Sequence, residues 1–539
     1  MGIKKTIALL SGLFIGLVAW TQCYDARVAA VDILHYDFFV SISDSSDRIE
    51  GLAKVKLELK QAVDHVVLDL VAPRDGKGMA VKSVHEIHFG DLDFKHSGEL
   101  LEIALGARIP IGTNLELIVT YEGIPADGLI ISKNERDGRS FFGDNWPNRA
   151  HHWLPTVDHP SEKATVDFEI TAPAHYEIVA NGMLVDQRVL PNGTQVSHWR
   201  NEEPLPTKVM VFGAADFAIQ NIGDVNGIPV STWVFVKDEE NGFHDYALGK
   251  GILRWYMQQI GPYPWEKLAN VQSRTRYGGM ENASCIFYAD NSVTGDGSCE
   301  ALMAHEIAHQ WFGNSASEAE WHHIWLSEGF ATYLTHVYFE SVHGPDIFQK
   351  RLETDRRQIV NWGPTWDLAV VDPQITDLNQ LLNTNSYQKG SWVLHMLREK
   401  IGDTHFFNGL RTYYSRFKFS NALTSDLQKV MEETSGQDLN VFFQQWLFRP
   451  GFPKLDVMWF WKKSKKTLTV TISQTQAGDA FEFPLEIAAL DAEGNVLQTI
   501  NQNVSGKMSK ATFTLPSSPA KLVLDPQVKL LYAGKSRMK

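Results

Sequence analysis

Cysteine is nearly absent: three occur in 539 residues, at Cys23, Cys285 and Cys299. So few thiols exclude a disulfide-stapled scaffold, and stability has to come from buried cores. If Cys23 is removed or modified, Cys285 and Cys299 are left either to pair or to remain as unpaired, buried small hydrophobes. Basic runs are scarce too. The fullest cluster is Lys462, Lys463, Lys465 and Lys466, and 50 Lys+Arg against 64 Asp+Glu give a net charge of −14. Phosphate backbones need a basic surface, so nucleic acid is excluded as a partner, and the lysine cluster reads as a solvated turn between strands. Low-complexity linkers and internal repeats are missing as well. A polytopic membrane protein is excluded by a globular balance of 44% hydrophobic and 21% charged residues. The apolar run from Ile7 to Trp20, after Lys4 and Lys5, is about 14 residues, short of the roughly 20 needed to span a bilayer. It reads as an export signal, so the expected place is periplasmic or extracellular. Beside cleavage stand two alternatives: lipid attachment to Cys23, giving a membrane-anchored lipoprotein, and an uncleaved anchor helix.

At roughly 100–200 residues per domain, the length predicts about three domains. After a signal segment (1–23), residues 24–220 carry strand-like alternation. Ala53, Val55, Leu57 and Leu59 interleave with Lys54, Lys56, Glu58 and Lys60, similar runs follow at Leu115–Tyr121 and Thr165–Thr171, and Asn192-Gly193 marks a hairpin. Over 221–452 the spacing turns helical, at Tyr246–Ile260, Cys299–Phe312, Ile324–Val342 and Tyr387–Lys400. From 453 to 539 alternation returns, as in Leu468, Val470 and Ile472, which predicts a small β-sandwich. The expected class is therefore multidomain α+β.

The helical part contains His305-Glu306-Ile307-Ala308-His309. Ser298 is placed to cap this helix, Glu300 favours its N-terminal end and Gly313 follows its last turn. A pair at i and i+4 rises about 6 Å and turns about 400°, so both imidazoles share a face and can ligate one metal ion. Glu306, about 100° round, is suited to reach a metal-bound water instead of the metal. A catalytic zinc commonly takes three protein ligands. Glu328, after eighteen intervening residues, is the candidate for the third; His322 and His323 are nearby rivals, but they sit before that apolar-periodic stretch and read as polar surface or supporting residues. Upstream, paired glycines in Arg276-Tyr277-Gly278-Gly279-Met280-Glu281-Asn282 let a substrate lie against the backbone as an added strand. Glu281 could then bind a free α-ammonium and restrict cleavage to the first residue. Tyr387, at a helix start, could donate to a developing oxyanion.

These segments together resemble the zinc aminopeptidases of the aminopeptidase N type, the gluzincin aminopeptidases that also include leukotriene hydrolase. The matches are GGMEN (Gly278–Asn282), HEIAH with Glu328 in WLSEGFATY (Trp325–Tyr333), SYQKG (Ser386–Gly390) and WLFRPGFP (Trp446–Pro453), in that order. The resemblance implies an N-terminal β saddle domain, a thermolysin-like catalytic domain and a C-terminal β-sandwich. By position it implies one zinc on His305, His309 and Glu328, with Glu306 as general base and proton shuttle. Glu281 would hold the substrate amine, Tyr387 would stabilise the tetrahedral intermediate, and Gly278, Gly279 and Met280 would line the substrate. The expected reaction is removal of the N-terminal residue from peptides with a free N-terminus.

Two departures are visible. The resemblance implies a Gln or Glu of the N-terminal domain beside the amine, but Gly143-Asp144-Asn145-Trp146-Pro147 puts Trp146 there, so either Asp144 substitutes or Glu281 acts with less help. Many relatives also carry a large C-terminal helical domain over the site, and without it a more open active site is expected. Rival readings are a thermolysin-like endopeptidase, an epoxide hydrolase using the same zinc, and a catalytically inactive exported relative serving as a binding or scaffold module.

Overall fold

The computed structural model describes residues 28–133 and 138–539. The expected export segment, with Cys23, lies outside them, and among the described residues no helix is long and apolar enough to cross a membrane.

Alternation builds the N-terminal part. In the strand Ile49–Leu59 the residues Ile49, Ala53, Val55, Leu57 and Leu59 are buried while Lys54, Lys56 and Glu58 keep one side partly wet. Among the described residues this part forms sheets of eight, four and three strands. In the largest, Val31–Ser41 runs parallel to Lys163–Pro173 and antiparallel to Ile49–Leu59, which aligns Phe38 with Phe168 inside the core. Asn192-Gly193 closes the hairpin between Met183–Val189 and Thr194–Pro206. At the other end of the chain, sheets of four and three strands follow residue 453 among the described residues. There the lysine cluster forms the exposed turn between Lys454–Lys462 and Thr467–Gln474.

The middle of the chain is not simply helical. Among the described residues it opens with a five-stranded sheet in the order Phe217–Val225, Ile228–Phe235, Leu268–Ser273, Cys285–Ala289, Gly279–Met280. The division expected after residue 220 falls inside its first strand. Leu268–Ser273 is buried at every position and is parallel to both neighbours, so it shows no alternation for a periodicity argument to detect. Gly279–Met280 stands at the sheet edge. The predicted helical stretches form Glu239–Tyr246 with Leu248–Gln259, Glu300–Ala308, Trp325–His343, and Gly390–Ile401 preceded by the π-helical turn Asn385–Lys389. Cys285 and Cys299 are buried and free, so they do not pair.

Ser298 does not cap the motif helix. Cys299 occupies the cap position without a side-chain capping bond, and the Ser298 hydroxyl meets Thr294 Oγ1 at 3.0 Å. The approach to the helix is organised instead by buried Asp245, which accepts the backbone N–H groups of Thr294, Gly295 and Gly297 at 2.7, 2.8 and 2.9 Å. Glu300 ties this helix to the next by accepting from Tyr338 Oη at 2.9 Å and meeting His343 Nε2 at 2.8 Å.

The N-terminal and middle parts meet across buried charge. Lys208 Nζ lies 2.5 Å from Glu318 Oε1, with the two side chains 1% and 0% exposed. Breaking a buried pair strands one charge in a medium that cannot solvate it, at a cost of about 3–5 kcal/mol. Glu318→Ala is therefore expected to lower the urea midpoint of unfolding markedly, and the double change Lys208→Met with Glu318→Leu to recover most of the loss. Equal midpoints for Glu318→Ala and the parent would contradict this account of the seam.

Candidate active site

The motif helix Glu300–Ala308 delivers His305 and Glu306, and His309 follows at its C-cap, still in helical conformation. The helix Trp325–His343 brings Glu328 across. His305 Nε2 and His309 Nε2 are 3.1 Å apart, and Glu328 Oε2 is 3.3 Å from each. Donor atoms about 2.0–2.1 Å from one tetrahedral ion sit about 3.3 Å from one another. These three donors fit a zinc ion. The second nitrogen of His309 is engaged: Nδ1 lies 2.9 Å from Ser327 Oγ and 3.2 Å from the Phe312 carbonyl. Donation from Nδ1 to that carbonyl leaves the lone pair of Nε2 free for a metal.

The electrostatics point the same way. Burial opposes a charge on His309, yet the carboxylates of Glu328, Glu281 and Glu306 outweigh it and lift the imidazole to about 9. Burial also works against ionised Glu328, but His309 and His305 hold its carboxyl well below the usual range. For Glu306, burial, together with Glu281 and Glu328, pushes the carboxyl well above the usual range. The upward shifts on His309 and Glu306 show acidic groups crowded together and drawing protons in, and a bound cation would displace those protons.

Glu281, Glu306, His305, His309, Glu328, Met280, Gly279 and Tyr387 line one recess of about 60 Å³, joined by Trp146, Tyr277 and Leu382. Close backbone packing makes this possible at two places. A Cβ on Gly279 would lie 2.2 Å from Glu306 Oε1, so only glycine lets this edge strand pass beside that carboxylate. A Cβ on Gly329 would lie 3.0 Å from the backbone of Gly390. That contact seats the turn bearing Tyr387 against the helix bearing Glu328, and the Tyr387 ring stacks on His305 with centroids 6.0 Å apart. Burial, then Glu328, Glu281 and Glu306, keep the phenol protonated by raising its pKa well above 10.

These contacts bear on several of the expectations. Gly278 is exposed beside the recess, and its carbonyl accepts the Ala289 N–H at 2.9 Å within the sheet. His322 and His323 are not ligands, because His322 Nε2 meets the Ile375 carbonyl at 2.9 Å and His323 Nδ1 meets Thr424 Oγ1 at 2.8 Å. Asp144 cannot substitute beside the amine. It is fully buried and committed to Arg149 Nη2 at 2.5 Å and the Arg276 N–H at 3.0 Å. Trp146 does reach the recess, packed edge-to-face on Tyr277 and Trp321.

Three supporting residues were not singled out from sequence. Ser327 orients His309, and the side chains of Gln310 and Asn314 donate to the Glu281 carbonyl at 2.7 and 2.6 Å. A glutamine next to the motif reads as helix surface, and only tertiary packing turns it inward.

Two imidazoles and a carboxylate on adjacent helices, with a further glutamate beside them, define a three-donor metal site next to a group able to move a proton. The comparisons assign it further. The Peptidase M1 N-terminal domain matches residues 33–209 and the Peptidase family M1 domain matches residues 246–446; the chain belongs to peptidase family M1. It is 25% identical over 453 residues to the leucyl aminopeptidase of Saccharolobus solfataricus, covering 79% of this chain and 54% of that protein. It is 25% identical over 456 residues to the mitochondrial aminopeptidase 2 of Saccharomyces cerevisiae, covering 79% and 47%. The chain thus spans about half the length of the curated relatives it matches. Its fold is shared with an M1 zinc metallopeptidase from Deinococcus radiodurans, at a TM-score of 0.68 and 22% identity over 79% of this chain and 95% of that one.

Removing Glu328 leaves two imidazoles, short of the usual coordination. Glu328→Ala is expected to weaken zinc binding by at least ~100-fold, measured by competition with a chromogenic chelator. Parent-like affinity would mean that the third donor lies elsewhere.

Proposed function

We propose that the chain is a zinc aminopeptidase that removes the first residue from peptides with a free N-terminus. The observation that carries this is the position of Glu281. Its carboxylate is buried, its Oε1 has no hydrogen-bond partner among the described residues, and it shares the recess with the zinc donors. Ligand-capable atoms of Glu281, Glu306 and His309 lie within 4.8 Å of one another. Each further residue on the N-terminal side of the scissile bond would need another ~3.5 Å of chain. Only an ammonium at the very start of the substrate fits against that carboxylate.

Zinc held by His305, His309 and Glu328 supplies a Lewis acid that polarises a carbonyl and makes water acidic. Glu306 takes the proton that the attacking water releases and returns it to the leaving amine, a role suited to a carboxyl whose burial makes it more basic than usual. Tyr387, its proton retained, donates a hydrogen bond to the oxygen on which negative charge develops. Glu281 pairs with the α-ammonium, and the edge strand Gly279–Met280 offers its backbone to the substrate. Export is part of the proposal on the strength of Lys4, Lys5 and the run Ile7–Trp20.

Glu306→Gln is expected to keep zinc and lose at least ~100-fold in turnover; near-normal turnover with zinc retained would overturn the mechanism. Losing one partner of a desolvated charge pair costs about 2–5 kcal/mol. Glu281→Ala should accordingly reduce kcat/KM for free-amine peptides by at least ~30-fold while keeping zinc. The parent should cut a free peptide far faster than its N-acetylated form. Equal rates on the two forms would favour an endopeptidase.

A further inference from the structure

Gln310 and Asn314 lie on the zinc side of the recess, yet both bond to the backbone of the amine side. The Glu281 carbonyl accepts from Gln310 Nε2 at 2.7 Å and from Asn314 Nδ2 at 2.6 Å, which fills both lone pairs of that oxygen. Gln310 closes a second contact, its Oε1 accepting the Ser284 N–H at 3.0 Å, so one amide grips both ends of the turn 281–284. Gln310 follows His309 directly, and the Asn314 N–H donates to the His309 carbonyl at 3.1 Å. Two independent links therefore run from a zinc donor to the residue proposed to hold the substrate amine.

The same turn is held from the N-terminal part. Asn181 Nδ2 donates to the Ala283 carbonyl at 2.6 Å, and the Gly182 N–H donates to Ser284 Oγ at 2.8 Å. Lys163 Nζ donates to the carbonyls of Asn314 and Ser315 at 3.1 and 2.7 Å.

Resting on the aminopeptidase reading above, we infer that Gln310 and Asn314 are positioning residues that fix the spacing between the zinc donors and the Glu281 carboxylate, with Lys163 locking Asn314 from across the seam. The spacing acts as a ruler for the substrate's first residue. A displacement near 1 Å in a reacting geometry can cost about 100-fold in rate, so two donors on one carbonyl are well placed to prevent it. The consequence is discrimination against an amine that sits one C–C bond, about 1.5 Å, too far from the scissile carbonyl.

The test uses the zinc-loaded full chain with an alanyl anilide and its β-alanyl homologue. The parent should strongly prefer the α-amino substrate. In Asn314→Leu and Gln310→Met, which keep volume and remove the donors, zinc content should stay at the parent level. kcat/KM for the alanyl substrate should fall by at least ~10-fold, and the α to β preference should drop by a similar factor. Lys163→Met, remote from the recess, should move the preference in the same direction and serves if either of the others fails to fold. A folded, zinc-loaded variant that loses rate equally on both substrates, or on neither, would overturn the inference. Failure of the aminopeptidase reading looks different, because the parent itself would then cut an N-acetylated peptide as well as the free one.

Discussion

Three carboxylates, those of Glu281, Glu306 and Glu328, are 4–5% exposed and share one small recess. Placing like charges together away from water is costly unless a cation compensates them. Most of the local structure follows from meeting that requirement. His305 and His309 converge on Glu328, His309 is drawn toward its charged form, and the donor spacing suits a tetrahedral dication. A divalent ion would replace the proton on His309 and neutralise the cluster further, which couples metal occupancy to protonation. The glycines beside the cluster belong to the same constraint. Gly279 leaves room for the Glu306 carboxylate, and Gly329 against Gly390 lets Tyr387 approach from the opposite helix.

Much of this site was legible because its chemistry is written in helical periodicity. The i, i+4 spacing of His305 and His309 and the apolar-periodic helix around Glu328 are local signals, and the structure brings those residues together with Glu281, Glu306 and Tyr387. The β-rich ends were legible through alternation. What escaped was whatever depends on packing from a distance. Leu268–Ser273 is buried on both faces and leaves no pattern, so no alternation marks the middle sheet. Ser298 looks like a cap, but Asp245, more than fifty residues upstream, arranges the turn before the helix. Gly278 and Gly279 look equivalent in sequence. Only the second faces the Glu306 carboxylate, because neighbouring residues of a strand point to opposite sides.

The N-terminal part is a structural component of the site as well as a neighbour of it. Lys163 and Asn181 hold backbone carbonyls, and the Gly182 N–H holds the Ser284 hydroxyl, in the turns on either side of the recess, and the Lys208–Glu318 pair buries opposite charges in the seam. Such contacts have steep geometric demands, since a charged donor that loses its acceptor inside a protein has no cheap alternative. They favour one fixed placement of the two parts over a hinge. That rigidity suits the proposed removal of a single residue.

Trp146 is the side chain through which that part enters the recess directly, and its chemistry is apolar where the family resemblance led one to expect an amide or carboxylate. Asp144, two residues earlier, is turned inward to Arg149 and the Arg276 N–H and cannot make up the difference. The ammonium of a substrate would therefore meet one acidic partner, Glu281, beside an indole packed edge-to-face on Tyr277 and Trp321. An apolar wall lowers the local dielectric, which strengthens the remaining ion contact and raises the penalty for any variant that lacks it. On the proposed function, selection of the N-terminus then depends on how rigidly Glu281 is held, and this gives the two amides on its carbonyl more to do than they would have beside a pair of polar partners.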